Sequence, residues 1–68
     1  MASIWRKASG RGSIVDVSES GGEFFIYETS DGMMTLIFHR FKTREAAIAV
    51  ARDYIADRPM SLRRENLV

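Results

Sequence analysis

A chain of 68 residues has material for one domain, and a domain of that size buries only about 60% of the surface its unfolded chain exposes. The absence of cysteine and the presence of a single histidine, His39, exclude a disulfide framework and a structural zinc site of the Cys/His type. The longest apolar runs, such as Phe24 to Tyr27 and Leu36 to Phe38, fall far short of the roughly 20 residues that a membrane-spanning helix needs.

The formal net charge of +1 conceals a segregation. Residues 1 to 11 carry only bases (Arg6, Lys7, Arg11). Residues 12 to 38 carry Asp16, Glu19, Glu23, Glu28 and Asp31 with no lysine or arginine, and bases return from Arg40 onward. No apolar stretch of signal-peptide length follows the first bases, so a cytoplasmic location is expected.

Residues 1 to 12 read as a flexible basic arm, because Ser9, Gly10, Arg11 and Gly12 are poor formers of regular structure and only Ile4 and Trp5 offer anything to bury. Ile14 to Val17 reads as a short strand with Val15 and Val17 on one side and Asp16 opposite. A turn cluster over Ser18 to Gly22 then leads into a second strand, Glu23 to Glu28. The segment Thr29-Ser30-Asp31-Gly32 is the strongest local signal, a hairpin turn into a third strand that begins at Met33 and runs to Phe38 or Arg40.

Two registers fit that turn. A two-residue Asp-Gly loop of type I′ places Phe25, Tyr27, Leu36 and Phe38 on one face. A type I turn with Gly32 as a left-handed bulge instead groups Phe24, Ile26, Met34, Leu36 and Phe38, and leaves Phe25, Tyr27, Met33, Thr35, Ile37 and His39 on the other side. The bulged register is preferred, since it makes one face purely apolar.

Thr43 is positioned to cap a helix that opens with Arg44 and Glu45, runs to about Asp57 and stops before Pro59. On a helical wheel Ala47, Ile48, Val50, Ala51, Tyr54 and Ile55 share one side, with Glu45, Ala49, Arg52, Asp53 and Ala56 opposite. The expectation is therefore an α+β domain over residues 13 to 59: a three-stranded antiparallel sheet (β-β-β-α) with one amphipathic helix packed on one face. In the tail, residues 60 to 68, three alternatives stay open: a helical turn from Ser61, a short strand using Met60, Leu62, Leu67 and Val68, or a frayed end.

For chemistry, His39 is the only side chain whose ordinary pKa lies near neutrality. No nucleophile elbow, phosphate-cradling loop or paired-carboxylate spacing accompanies it. The reading is a non-enzyme without cofactor, metal or small-molecule substrate. The run His39-Arg40-Phe41-Lys42-Thr43-Arg44 interleaves bases with an aromatic, the composition used against nucleic acid.

Four segments in order, Gly12-Ser13-Ile14, Gly21-Gly22, Asp31-Gly32 and Phe41-Lys42-Thr43-Arg44-Glu45-Ala46-Ala47, resemble the AP2-like N-terminal DNA-binding domain of phage-type integrases over roughly residues 12 to 56. The resemblance implies a three-stranded sheet lying in the DNA major groove with a supporting helix behind it. This chain departs from the pattern where DNA would be touched: the sheet offers Phe25, Tyr27, Thr35 and Ile37 among acidic residues, in place of the basic and amide side chains that pair with phosphates and base edges.

One helix can cover only one face of the sheet, so the other is the expected working surface. The favoured expectation is a protein-interaction module, self-associating or docking on a larger partner in the manner of a phage-type inhibitor or adaptor. Its contacts would be Phe25, Tyr27, Ile37 and His39, with Glu23 and Glu28 at the rim. The rival is nucleic-acid binding through Arg6, Lys7, Arg11, Arg40, Lys42 and Arg44, disfavoured by the acidic strands. In a third arrangement Trp5, Met60, Leu62 and Leu67 fold over the second face of the monomer.

Overall fold

Both tight turns of the chain are of the kind that right-twisted strands favour. Gly21 and Gly22 (φ 59° and 81°) join Ser20 to Glu23, and Asp31 and Gly32 (φ 52° and 76°) join Ser30 to Met33; in each loop both central residues are left-handed, as type I′ requires. Glycine adopts that region freely, and aspartate is among the few other residues that enter it as single positions. The computed structural model describes residues 2–68 as a four-stranded antiparallel meander followed by one helix: β1 (Ala2–Ala8), β2 (Ile14–Ser20), β3 (Glu23–Ser30), β4 (Met33–Phe41) and α1 (Arg44–Ile55), in spatial order β1-β2-β3-β4. The α+β class and the helix on one face are as expected. The sheet, however, has four strands, and the expected arm supplies the first of them.

β1 escapes a pattern reading because its apolar residues do not alternate. Ile4 and Trp5 are adjacent, and a bulge between Ser3 and Trp5 lets both pack against the core. The strand pairs with β2 from Ala2 opposite Glu19 to Ala8 opposite Ile14.

The preferred register of the hairpin is likewise corrected. With a two-residue loop, Thr29 faces Met34 and Tyr27 faces Leu36, so Met34 and Leu36 lie with Phe25 and Tyr27 and away from the helix. A register shift between Ile26 and Tyr27 then leaves Ile37 as an extra residue of β4, and beyond it Phe38 stands opposite Ile26 on the helix side. Ile37 and Phe38 both pack against the core, which no unbroken alternation permits. A second shift between Phe24 and Phe25 makes Arg40 extra and brings Phe41 opposite Phe24, inside the core.

The core lies between α1 and the sheet. Val15, Val17, Ile26, Phe41, Ala47, Val50 and Ala51 are buried, and Phe24, Ile48, Tyr54, Ile55 and Met60 pack around them. Ala47 and Ala51, in the middle of the apolar stripe, let the helix backbone approach the strands. Thr43 caps the helix as expected, its hydroxyl accepting the Ala46 N–H at 3.2 Å.

The helix ends two residues earlier than the proline alone implies. The N–H of Arg58 donates to the Asp53 carbonyl (2.9 Å) and that of Asp57 to the Tyr54 carbonyl (3.3 Å), with Asp57 at φ 58°. This is a Schellman ending with aspartate in the position glycine usually takes. Arg58 also donates from its side chain to the Asp53 carboxylate at 3.1 Å.

In the tail a single 3₁₀ turn, Arg64–Asn66, precedes a one-residue bridge between Leu67 and Phe41. The N–H of Lys42 donates to the Asn66 carbonyl and that of Val68 to the Arg40 carbonyl, at 2.8 and 2.7 Å. A helical turn forms, but it begins after Arg63 and not at Ser61, and of the expected strand only the single bridge at Leu67 is present. Among the described residues, no helix is long and apolar enough to cross a membrane.

Candidate functional site

Alternation along each strand, read outward from the buried Ile26, separates the two faces of the sheet. Toward the helix point Trp5, Val15, Val17, Phe24, Ile26, Glu28, Phe38 and Phe41. The opposite face carries Ser3, Arg6, Ile14, Asp16, Ser18, Glu23, Phe25, Tyr27, Met34, Leu36 and His39.

Among the described residues, neither the helix nor the tail lies over this second face. Met60 and Leu67 of the tail pack on the helix-side core, Leu62 is exposed, and Trp5 also packs inward, so the arrangement in which these residues cover the open face is not formed. Ile14 on β2 and Met34 and Leu36 on β4 stay 42%, 63% and 43% exposed, values that put apolar side chains in solvent on two of the four strands. Between them the Phe25 and Tyr27 rings lie 6.5 Å apart at 31°.

The face is zoned. Toward β4 it is aromatic and aliphatic, ending at His39 opposite Phe25. Toward β1 it is polar and internally satisfied: Asp16, buried despite its position, accepts from the Ser3 hydroxyl and, at 2.9 Å, from Arg6 Nε. At the rim Arg40 reaches Glu23 at 3.6 Å.

Of the residues expected to make contacts, Phe25, Tyr27, His39 and Glu23 therefore share the open face. Ile37 and Glu28 do not. Ile37 is drawn to the core by its bulge, and Glu28 points to the helix side because it is separated from Ile26 by one alternation.

Glu28 there anchors a network that pattern reading does not reach. Its carboxylate accepts from Ser13 Oγ at 2.6 Å and from the Tyr54 hydroxyl, with the Arg11 guanidinium 3.9 Å away. Ser13 Oγ is 2.7 Å from Ser9 Oγ, which accepts the Arg11 N–H at 3.0 Å. Arg11 also lies over the Tyr54 ring, 5.4 Å from its centroid. The Ser13 bond, then the Tyr54 bond and the charge of Arg11, hold the Glu28 carboxyl below its ordinary pKa against the opposing effect of burial. The same bond to Glu28 raises the pKa of Tyr54.

Beside this network Arg11, Tyr54, Asp57, Arg58 and Met60 line an open pocket of about 420 Å³. Its two cations already face carboxylates, Arg11 toward Glu28 and Arg58 toward Asp53 at 3.0 Å. The arrangement ties the β1–β2 loop to the end of the helix.

The bases proposed for nucleic acid are dispersed. β1 turns Arg6 and Lys7 to opposite faces, and Arg6, Arg11 and Arg40 each face a carboxylate. Lys42 and Arg44 are exposed at the start of α1.

Comparison with known proteins finds no matching family model, no matching curated protein and no matching solved structure.

Proposed function

We propose that this domain is a non-enzymatic protein-interaction module, an inhibitor or adaptor, whose open sheet face receives a protein partner. One observation carries the reading: helix and tail both pack on one side, leaving Phe25, Tyr27, Met34, Leu36 and His39 together on the other, rimmed by Glu23 and Arg40. A contiguous apolar area with a polar rim is the usual anatomy of a recognition surface, and aromatic side chains are the ones that most often anchor it. The satisfied Ser3–Arg6–Asp16 group beside it supplies a polar border that needs no partner to complete it.

A photo-crosslinking residue placed at Tyr27, compared with one at Arg52 on the solvent side of α1, tests the reading in cells. A discrete adduct is expected from position 27 and none from 52; equal labelling from both, or none from 27, overturns it.

A second reading has one observation of its own. The hydrogen bonds of Asn66 and Val68 to Lys42 and Arg40 draw the tail, with Arg63 and Arg64, toward the bases at the end of β4. Nucleic-acid binding there would weaken steeply with added salt and be lost on Arg40→Ala combined with Lys42→Ala. An unshifted DNA and RNA probe at low salt removes it. The integrase-like mode, with the sheet in the groove, has little support, because the open face is apolar and its Arg6 is already matched by Asp16.

A further inference from the structure

The two edges of the sheet are unlike. β1 carries Arg6 and Lys7 and is broken by a bulge at Ile4, devices that discourage another strand from pairing there. β4 has neither device along its first part: Met33 to His39 contains no lysine, arginine, acidic residue or proline. Only its far end is closed, where the tail bonds to Arg40 and Lys42. Met33, Met34, Thr35 and Leu36 are all exposed, Met33 at 71%.

We propose that this edge pairs with the same edge of a second copy, giving a two-fold dimer centred on Thr35. Ser30 and Met33 flank a two-residue turn and form a hydrogen-bonded pair, so by alternation Met34 and Leu36 turn their N–H and C=O groups away from β3. An antiparallel second β4 satisfies these groups: Met34 N–H donates to the Leu36 carbonyl of the other copy, and Leu36 N–H to its Met34 carbonyl, reciprocally.

Three features select a second copy as the occupant. A two-fold contact must be self-complementary, and a segment without formal charge brings no like charges together when it meets itself. Centring on Thr35 confines the pairing to the stretch before Arg40, so the tail of neither copy is displaced. At the centre Thr35 meets Thr35, a favourable cross-strand pair, and Met34 lies opposite Leu36, apolar against apolar. The bulge at Ile37 limits regular pairing to the residues around this centre. The result is one continuous sheet in which the two open faces join side by side, lengthening the surface proposed for a protein partner without occupying it.

The chain has no cysteine, so a single introduced thiol can cross-link only to another copy. Thr35 and its symmetry mate would form a non-hydrogen-bonded pair, with Cα atoms about 4.5 Å apart and within disulfide reach. In a mild thiol redox buffer Thr35→Cys is expected to convert to covalent dimer, while Ser3→Cys on the other edge and Arg52→Cys on the helix remain single chains. In light scattering the unaltered protein is expected to show twice the mass of one chain and Leu36→Lys the mass of one, with unchanged circular dichroism. A single-chain mass for the unaltered protein up to the millimolar range overturns the dimer, as does cross-linking of Ser3→Cys or Arg52→Cys as complete as that of Thr35→Cys. Neither result bears on the Tyr27 adduct, so the dimer and the docking surface stand or fall separately.

Discussion

Ile26 and Tyr27 are consecutive residues of one strand and experience opposite environments. Ile26 is buried against the helix, whereas Tyr27 lies beside Phe25 on the face away from the helix and tail. The same contrast separates two carboxylates. Glu28 is held by donors from the β1–β2 loop and from α1, so its partners tie together distant parts of the chain. Asp16 is held by two residues of the neighbouring strand and ties together only β1 and β2. The difference teaches where each kind of information resides: the covered face accounts for the folding of the chain, and the open face is the surface that folding leaves unused.

The largest effect that could break this comparison comes from truncation. Ile26→Ala is expected to cost about 3 kcal/mol, since it removes a fully buried side chain and leaves a cavity. Tyr27→Ala should cost about 1 kcal/mol, the loss of half-exposed ring contacts. Urea unfolding of the two variants measures both, and equal losses would mean that the faces are not distinct.

Next in size is the Glu28 network. Glu28 has a folded pKa below its ordinary value of 4.5, so its contribution is fully present above that pH and is lost as pH falls through the lower, folded value. Glu28→Gln should therefore destabilise the protein by about 1 kcal/mol at neutral pH, and the gap to the unaltered protein should close progressively in acid. Tyr54 runs the other way: its raised pKa means that the bond it donates is kept below its ordinary value of 10.0 and lost as pH rises through the folded one. Denaturation midpoints across the pH range read both limbs. A gap for Glu28→Gln that is constant down to strong acid would show that the carboxylate is not held by these donors.

The smallest expected effect sharpens the account of the helix that covers one face. Asp57 closes α1 at φ 58°, where glycine carries no steric penalty. Asp57→Gly should stabilise the domain by about 0.5 kcal/mol, visible as a small rise in thermal midpoint. A fall would show that the aspartate side chain contributes more than its backbone costs.

Much of the covered face was readable in advance. Val15, Val17 and Ile26 alternate with polar or oppositely directed neighbours, and Ala47, Val50, Ala51 and Tyr54 recur at helical spacing. Thr43 announces the helix start by residue type alone. The open face was readable only in part. The preferred register gives it Phe25, Tyr27 and His39 but not Met34 and Leu36, it includes Ile37, which packs on the core, and Glu28, expected at its rim, lies on the helix side. A pattern reader assumes unbroken alternation, and β4 breaks it at Ile37 and Arg40. Glu28, one alternation from Ile26, belongs on the helix side in any strand that keeps its period. Its acidic character suggested solvent, and only the hydroxyls of Ser13 and Tyr54, distant in sequence, make that inner position favourable.

The sequence by itself determined what local sterics and periodicity can decide: two hairpin turns built on Gly21-Gly22 and Asp31-Gly32, one amphipathic helix with its cap, and the antiparallel order of the strands that those turns join. Tertiary structure decided the rest. It recruited residues 2–8 as a strand, because an edge partner for β2 and a pocket for Ile4 and Trp5 exist only once the sheet has formed. It also set which side of β4 faces out, because a bulge is chosen by the packing of Ile37 and Phe38 against residues from other elements, and that choice depends on contacts far apart in the chain.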